Sequence, residues 1–325
     1  MITPRRNARG YGVGIVVLTF LLATCRPQVL PTPAPADAPP EVVALTGASI
    51  LIGAGDIASC LSTGDEATAR IVDSVLKADS VAKVPNAVFT LGDNAYPDGS
   101  DRNFALCFTP SWGDSGKRIM RNIRPSPGNH EHAIFGAAAY YEYFGDRAGS
   151  PRKGYYSYGI GAWHAIVLNS EVVVNSVFTD ADRRAQVDWL AADLKANKQK
   201  CTVAYWHHPR FSSGWHGSDP RLAAFWGLLY DGGVDLILNG HDHNYERFRP
   251  MNPAGVVDSA RGAVQIVVGT GGGELRGLGR VVANSAARVE GRFGVLKLTL
   301  GAEEWRSAFL ATNGGVHDVS GGKCH

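Results

Sequence analysis

The sequence predicts an α/β domain, on three observations. Short apolar runs of strand length alternate with helical patterns, the alternation that builds a mostly parallel sheet covered by helices. Five clusters rich in Asp, Asn, His and Tyr each follow an apolar run, and open α/β sheets bind ligands outside the carboxyl ends of their strands. Neither an internal repeat nor a second linker interrupts the chain after residue 42, so a single domain is expected over 42–325.

The elements follow in order. Ser49-Ile50-Leu51-Ile52-Gly53-Ala54 is a buried strand by length and content. Asp65–Ala78 is amphipathic, with Ala69, Val72 and Leu76 at helical spacing. Ala87–Leu91 and Trp163–Leu168 read as the next strands. Asp180–Asn197 is the clearest helix, placing Val187, Leu190 and Leu194 on one face. Thr202–Trp206 and Val234–Leu238 are strands with the helix Arg221–Tyr230 between them. Ala263–Val268, Phe293–Leu300 and Trp305–Leu310 close the chain as strands, so the later part is mixed with further β structure.

The first 41 residues read as processing and spacing, not fold. Arg5, Arg6 and Arg9 precede an apolar run from Gly12 to Ala23, the pattern of a secretory signal peptide. The run is too short to span a bilayer, which takes about 20 apolar residues. Leu22-Ala23-Thr24-Cys25 resembles the lipobox of bacterial lipoproteins, which makes Cys25 a lipidation candidate and 1–24 a lipoprotein-type signal. Residues 25–41 hold a stretch with six prolines in fourteen residues (27–40), an extended tether. The expected location is the bacterial cell envelope, as a lipoprotein, or the periplasm or exterior. Membrane contact is expected through the lipid anchor alone.

Composition excludes some classes. Apolar residues make up 45% of the chain and charged residues 19%, as in ordinary globular proteins, and the formal charge is +2. A balance so near zero lacks the basic excess of a nucleic-acid-binding surface. Of five cysteines, setting Cys25 aside leaves Cys60, Cys107, Cys201 and Cys324. That is an even number in an oxidising compartment, with three possible pairings.

The five clusters are Gly55-Asp56; Gly92-Asp93-Asn94-Ala95-Tyr96; Gly128-Asn129-His130-Glu131; His207-His208-Pro209; and Asn239-Gly240-His241-Asp242-His243-Asn244-Tyr245-Glu246-Arg247. Singly, each could be a turn with an Asx cap. Together they supply the oxygen and nitrogen ligands of hard and borderline metals at five strand ends.

In this order the clusters resemble the calcineurin-like metallophosphoesterase superfamily. Tyr three residues after the second Asp, and Glu-Arg closing the last motif, resemble the purple acid phosphatases specifically. The resemblance implies a calcineurin-like phosphoesterase fold, with mixed β-sheets packed together and flanked by helices, and makes 42–325 the catalytic domain. It implies a first metal held by Asp56, Asp93, Tyr96 and His243 and a second held by Asp93, Asn129, His207 and His241, with Asp93 bridging. It implies a phosphate ester substrate, most simply a monoester, attacked in line by a metal-bound hydroxide. A phosphodiesterase or nucleotidase would use the same centre. His130 would lie beside the phosphate as charge-stabilising donor or general acid, and His216, in Phe211-Ser212-Ser213-Gly214-Trp215-His216-Gly217, would face it too. Ala58 stands where many superfamily members carry a further histidine ligand. Tyr96 would fill that vacancy and favour Fe(III), paired with Zn, Mn or Fe(II).

The motifs also bear on the remaining side chains. Because Cys60 and Cys107 follow ligands of the first metal, Cys60–Cys107 and Cys201–Cys324 are the favoured pairs. Strand alternation sends His208 away from His207, into a structural role. Glu246 and Arg247 are expected to pair with each other. Gly269-Thr270-Gly271-Gly272-Gly273 reads as a turn, or else as backbone amides offered to phosphate.

Overall fold

The computed structural model describes residues 45, 47–114, 118–150 and 152–325. The expected signal, the tether and Cys25 lie outside the described residues. From Leu45 onward the chain forms one compact unit.

Thirteen strands are described: β1 (Ser49–Ala54), β2 (Asn86–Leu91), β3 (Ile123–Ser126), β4 (Tyr156–Ile160), β5 (Trp163–Val167), β6 (Cys201–Tyr205), β7 (Leu236–Asn239), β8 (Tyr245–Phe248), β9 (Val264–Val268), β10 (Ser285–Val289), β11 (Gly294–Leu300), β12 (Glu304–Ala311) and β13 (Val316–Lys323). They make two mixed sheets, ordered β13-β12-β11-β1-β2-β3 and β10-β8-β9-β7-β6-β5-β4. A mostly parallel sheet is therefore corrected to two parallel cores with antiparallel flanks. In the first sheet β1 runs parallel to β2 and antiparallel to β11, and hairpin pairing adds β12 and β13. In the second, β5, β6, β7 and β9 are parallel, while β4, β8 and β10 join antiparallel.

The parallel strands β1, β5, β6, β7 and β9 are buried on both faces, which is why their sequences are mostly apolar. Leu51, Val88, Val203, Tyr205, Leu236 and Leu238 share one core, so the sheets pack face to face. Two polar side chains bridge the sheets. Trp163 Nε1 donates to the carbonyl of Gly301 at 2.7 Å, and the Tyr205 hydroxyl to that of Arg124 at 3.0 Å.

Helices cover the outer faces. The helix Gly64–Ala82 buries Val72 and Leu76. The helix Asp180–Ala196 opens on a capping box, in which the Thr179 hydroxyl accepts from Asp182 N–H while the Asp182 carboxylate accepts from Thr179. It buries Leu190 in a second core shared with Trp226 and Leu229 of the helix Ala223–Asp231.

Cys60 bonds Cys107 and Cys201 bonds Cys324, the favoured pairs. The second bridge ties β6 to the segment after β13, across 123 residues of sequence. Closing so long a loop removes much denatured-state entropy. The double variant Cys201→Ser with Cys324→Ser should unfold at lower urea concentration, with a loss of about 3 kcal/mol. An unchanged midpoint would show that the bridge constrains nothing the sheets do not already hold.

Candidate metal centre

Every cluster leaves the carboxyl end of a parallel strand. Asp56 follows β1, Asp93 and Tyr96 follow β2, Asn129 follows β3, His207 follows β6, and His241 and His243 follow β7. The first three strands belong to one sheet and the last two to the other, so the centre lies where the two sheets end together.

The chain must turn sharply off each strand, and it does so in the left-handed region. Asp56, Asp93 and His241 have φ of 58°, 49° and 69°. Such a conformation costs a non-glycine residue of order 1–3 kcal/mol and persists only where surrounding bonds dictate it. Those bonds are present. Asp56, Ile57 and Ala58 N–H donate to the carbonyls of Gly92, Asp93 and Asn94 at 3.1, 2.9 and 3.0 Å, so the first two loops continue their strands' ladder. Gly128 has to be glycine, since a Cβ there would sit 2.3 Å from Asp93 Oδ1.

Seven side chains converge in two groups. Tyr96 Oη lies 3.0 Å from Asp56 Oδ1, 3.1 Å from His243 Nε2 and 3.3 Å from Asp93 Oδ2. His207 Nε2 lies 3.0 Å from Asn129 Oδ1, 3.1 Å from His241 Nδ1 and 3.3 Å from Asp93 Oδ2. One oxygen, Asp93 Oδ2, thus faces both groups. His207 Nδ1 donates to the Leu91 carbonyl at 2.6 Å, and His243 Nδ1 donates to that of Glu274. Both bonds fix the tautomer that aims an Nε2 lone pair inward, as metal-binding histidines require.

The charges of the donor set suit cations. Burial alone would raise the Asp93 carboxyl, but His207 and then His130 outweigh it and hold it far below the carboxylate range. Burial alone would depress His207, but Asp93 and then Asp56 lift it to about 10. Burial, then Asp56 and Asp93, push the Tyr96 phenol well above its ordinary value. Protons are thus retained where the carboxylates call for positive charge. Oxygen and nitrogen donors in this arrangement fit two hard or borderline metal ions, which would displace those protons.

The two phosphate candidates flank the centre. His130 N–H donates to Asp93 Oδ1 at 2.9 Å, its Nδ1 contacts the Pro97 carbonyl, and its Nε2 stands 3.7 Å from Asp93 Oδ2, with the side chain one-third exposed. The His216 ring lies over the His241 ring, centroids 4.1 Å apart. Its loop is held by the buried Asp242, which accepts from the Ser212 hydroxyl and, at 2.8 Å, from His216 N–H.

Two expectations are corrected, and the glycine run keeps its first reading as a turn. Glu246 and Arg247 do not pair, because neighbours on β8 point to opposite faces. Arg247 Nε and Nη2 bond Asp318 at 2.6 and 2.9 Å, whereas Glu246 accepts from Ser213 N–H and hydroxyl at 2.7 and 2.6 Å. His208 is not sent away from His207, their ring centroids being 4.9 Å apart, since β6 ends at Tyr205 and alternation lapses there, but it keeps the supporting role expected of it. Its ring lies 4.1 Å from that of His241, while its Nδ1 meets the Ser170 hydroxyl at 2.9 Å. The glycine run does not offer its amides to phosphate: Gly269, Gly271 and Gly273 N–H donate to the carbonyls of Asn244, Gly55 and Asp56. His164 pairs with Asp193 and His325 with Asp235, apart from the ligand set.

Glu131 carries a role that the sequence did not disclose. Fully buried, it accepts four backbone N–H groups, from Gly128 at 2.8 Å, Asp93 at 3.0 Å, Asn94 at 2.7 Å and Ala95 at 3.3 Å. It therefore clasps the Asp93 loop to the Asn129 loop. Burial, and then Asp93, push its carboxyl to about 7, while the amides of Gly128 and Asn94 pull it down. The only sequence sign was its place as the last residue of Gly-Asn-His-Glu.

The family model described as calcineurin-like phosphoesterase matches residues 54–245. Purple acid phosphatase 18 of Arabidopsis thaliana is 32% identical over 192 residues, which are 53% of this chain and 42% of that protein. Acid phosphatase type 7 of Homo sapiens is 29% identical over 238 residues, 62% of this chain and 51% of that protein. The chain thus matches about half or less of the length of these curated relatives. Among solved structures, the purple acid phosphatase PPD1 of yellow lupin superposes with a TM-score of 0.68 at 19% identity, covering 84% of this chain and 53% of that one. GAP50, the anchor in the inner membrane complex of Plasmodium, superposes at 0.66 with 15% identity, covering 86% and 89%. Both structural likenesses establish the fold.

Proposed function

The chain belongs to the calcineurin-like phosphoesterase family, and from that premise we propose that it is a binuclear metal-dependent hydrolase of phosphate monoesters. One observation carries the reading. A single oxygen, Asp93 Oδ2, stands 3.3 Å from both Tyr96 Oη and His207 Nε2, so a single carboxylate belongs to two donor groups at once.

Asp56, Asp93, Tyr96 and His243 would hold one ion, and Asp93, Asn129, His207 and His241 the other. Two such ions supply Lewis-acid neutralisation of phosphoryl charge and an acidified water. The chain's own residues do the rest. His130, partly exposed and anchored through its backbone to Asp93, is placed to donate a hydrogen bond to a phosphoryl oxygen or a proton to the leaving oxygen. His216, whose ring lies 4.1 Å from that of His241, would offer a second donor through Nδ1. Tyr96 favours Fe(III) in the first group, with Zn, Mn or Fe(II) in the second. The two disulfides suit the oxidising compartment that the N-terminal residues imply, and we assign the protein to the cell envelope, anchored through Cys25.

The test combines elemental analysis and the visible spectrum of exported protein with turnover of phenyl and bis-phenyl phosphates. Two ions per chain and faster monoester turnover are expected. No hydrolysis of either ester by metal-loaded protein would overturn the reading, and faster diester turnover would replace it with a phosphodiesterase. Tyr96→Phe should abolish any visible phenolate–iron band and lower iron content. A colourless wild-type protein carrying two zinc ions would refute the Fe(III) assignment.

A further inference from the structure

The glycine-rich segment after β9 ends at Arg276, a residue that the motifs do not include. Two contacts fix it at the mouth of the centre. Its backbone N–H donates to the His243 carbonyl at 3.0 Å, which ties it to a ligand-bearing residue. Its Nη1 lies 2.8 Å from His216 Nε2. A guanidinium only donates, so His216 Nε2 is the acceptor there. His216 in turn lies on His241, which places the guanidinium one ring further out than the ligand set.

The charge is poised for a ligand. Its acidic partner, Glu274, approaches one nitrogen at 3.3 Å, and the two side chains are 32% and 74% exposed. An exposed pair of this kind holds its partners weakly. By contrast, Arg221, on the other side of His216, is engaged by both Asp219 oxygens and by the Val174 carbonyl. Arg276 is thus a cation with bonding capacity to spare at this edge. A planar fork of donors selects carboxylate or phosphate oxygens. In the phosphoester reading His216 would face the phosphoryl group, and the Arg276 fork bonded to it would meet the part of the substrate beyond the scissile oxygen.

We infer that Arg276 is a specificity-determining residue that receives a second anionic group on the leaving-group side, and that preferred substrates are phosphate esters whose leaving group is itself negatively charged. The inference rests on the phosphoester reading of the centre. Glu274 would yield Arg276 to the arriving anion.

The test compares 4-carboxyphenyl phosphate with phenyl phosphate, which differ only in the second charge. The wild type should favour the carboxylated ester in kcat/KM. Arg276→Ala should cut the ratio of the two values about tenfold, Arg276→Glu should cut it further, and Arg276→Lys should retain part of it. If Arg276 merely steadies His216, both substrates suffer equally and the ratio stays put, which would overturn the inference. The corresponding phosphonates, which cannot be hydrolysed, give a binding readout by calorimetry. Were the wild type to hydrolyse neither ester, the phosphoester reading would fail. The phosphonates would still decide on Arg276. Tighter binding of the carboxylated one, lost in Arg276→Ala, supports it, and equal binding by the wild type refutes it.

Discussion

Asp93→Ala should leave the centre unable to hold either ion, with turnover of phosphate monoesters falling at least about 10³-fold, or roughly 4 kcal/mol of transition-state stabilisation. The magnitude follows from sharing. Each of the other six candidate ligands faces one donor group, whereas Asp93 Oδ2 faces both. The backbone consequence adds to the loss, because Asp93 Oδ1 also accepts the His130 N–H that places one of the phosphate donors. Asn129→Ala gives the contrast, since it should lose one ion and keep the other. Metal content by elemental analysis separates the outcomes. An Asp93→Ala protein that retains two ions, or turns over within tenfold of wild type, would dismantle the shared-carboxylate centre.

Glu131→Ala should destabilise the fold by about 4 kcal/mol and lower the melting temperature on the order of 10 °C. Four buried amides lose their acceptor, and each unsatisfied buried donor costs about 1–3 kcal/mol. Water entering the vacated space limits the sum. The metal content should fall as well, because the clasp holds the Asp93 loop to the Asn129 loop. Glu131→Gln should fall between, since one of its terminal atoms would turn a donor toward donors. A thermal melt of Glu131→Ala within about 2 °C of wild type would show that the loops are held elsewhere.

The contrast between these residues explains what could be read beforehand. Metal ligands are legible because their chemistry lies in their own side chains, and because each motif places them beside the strand that carries them. The parallel strands β1, β2, β5, β6, β7 and β9 were legible too, as burial on both faces leaves mostly apolar residues between turns. The helix Asp180–Ala196 showed its apolar stripe. Glu131 gave no comparable sign, because its partners are backbone amides of a distant loop, and any sequence supplies those. Strands β3, β4, β8, β10 and β13 escaped, and for β4, β10 and β13 the reason is related. These three are flanking strands with half-exposed faces and polar or small residues such as Ser157, Gly159, Ser285, Gly321 and Gly322, so no apolar run marks them. The supposed Glu246–Arg247 pair failed because sequence adjacency within a strand means opposite faces. His208 failed the other way, since the strand rule was extended past the residue where β6 stops.

The pairing of β1 sets the order of events as the chain is made. β1 lies between β2 and β11, so the strand that carries Asp56 is complete only when Gly294–Leu300 has arrived from the far end of the sequence. Every candidate ligand, from Asp56 to His243, is synthesised before that strand. The stretch that carries the chemistry therefore emerges with one flank of its first strand bare, a template for wrong pairing until β11 docks. Such distant pairing is also slow to form. Metal acquisition accordingly waits on a partner strand that contributes no ligand of its own. A fragment ending at residue 245, which would keep the ligands and the whole stretch matched by the family model, would lack β9 and β11 and with them the closure of both sheets.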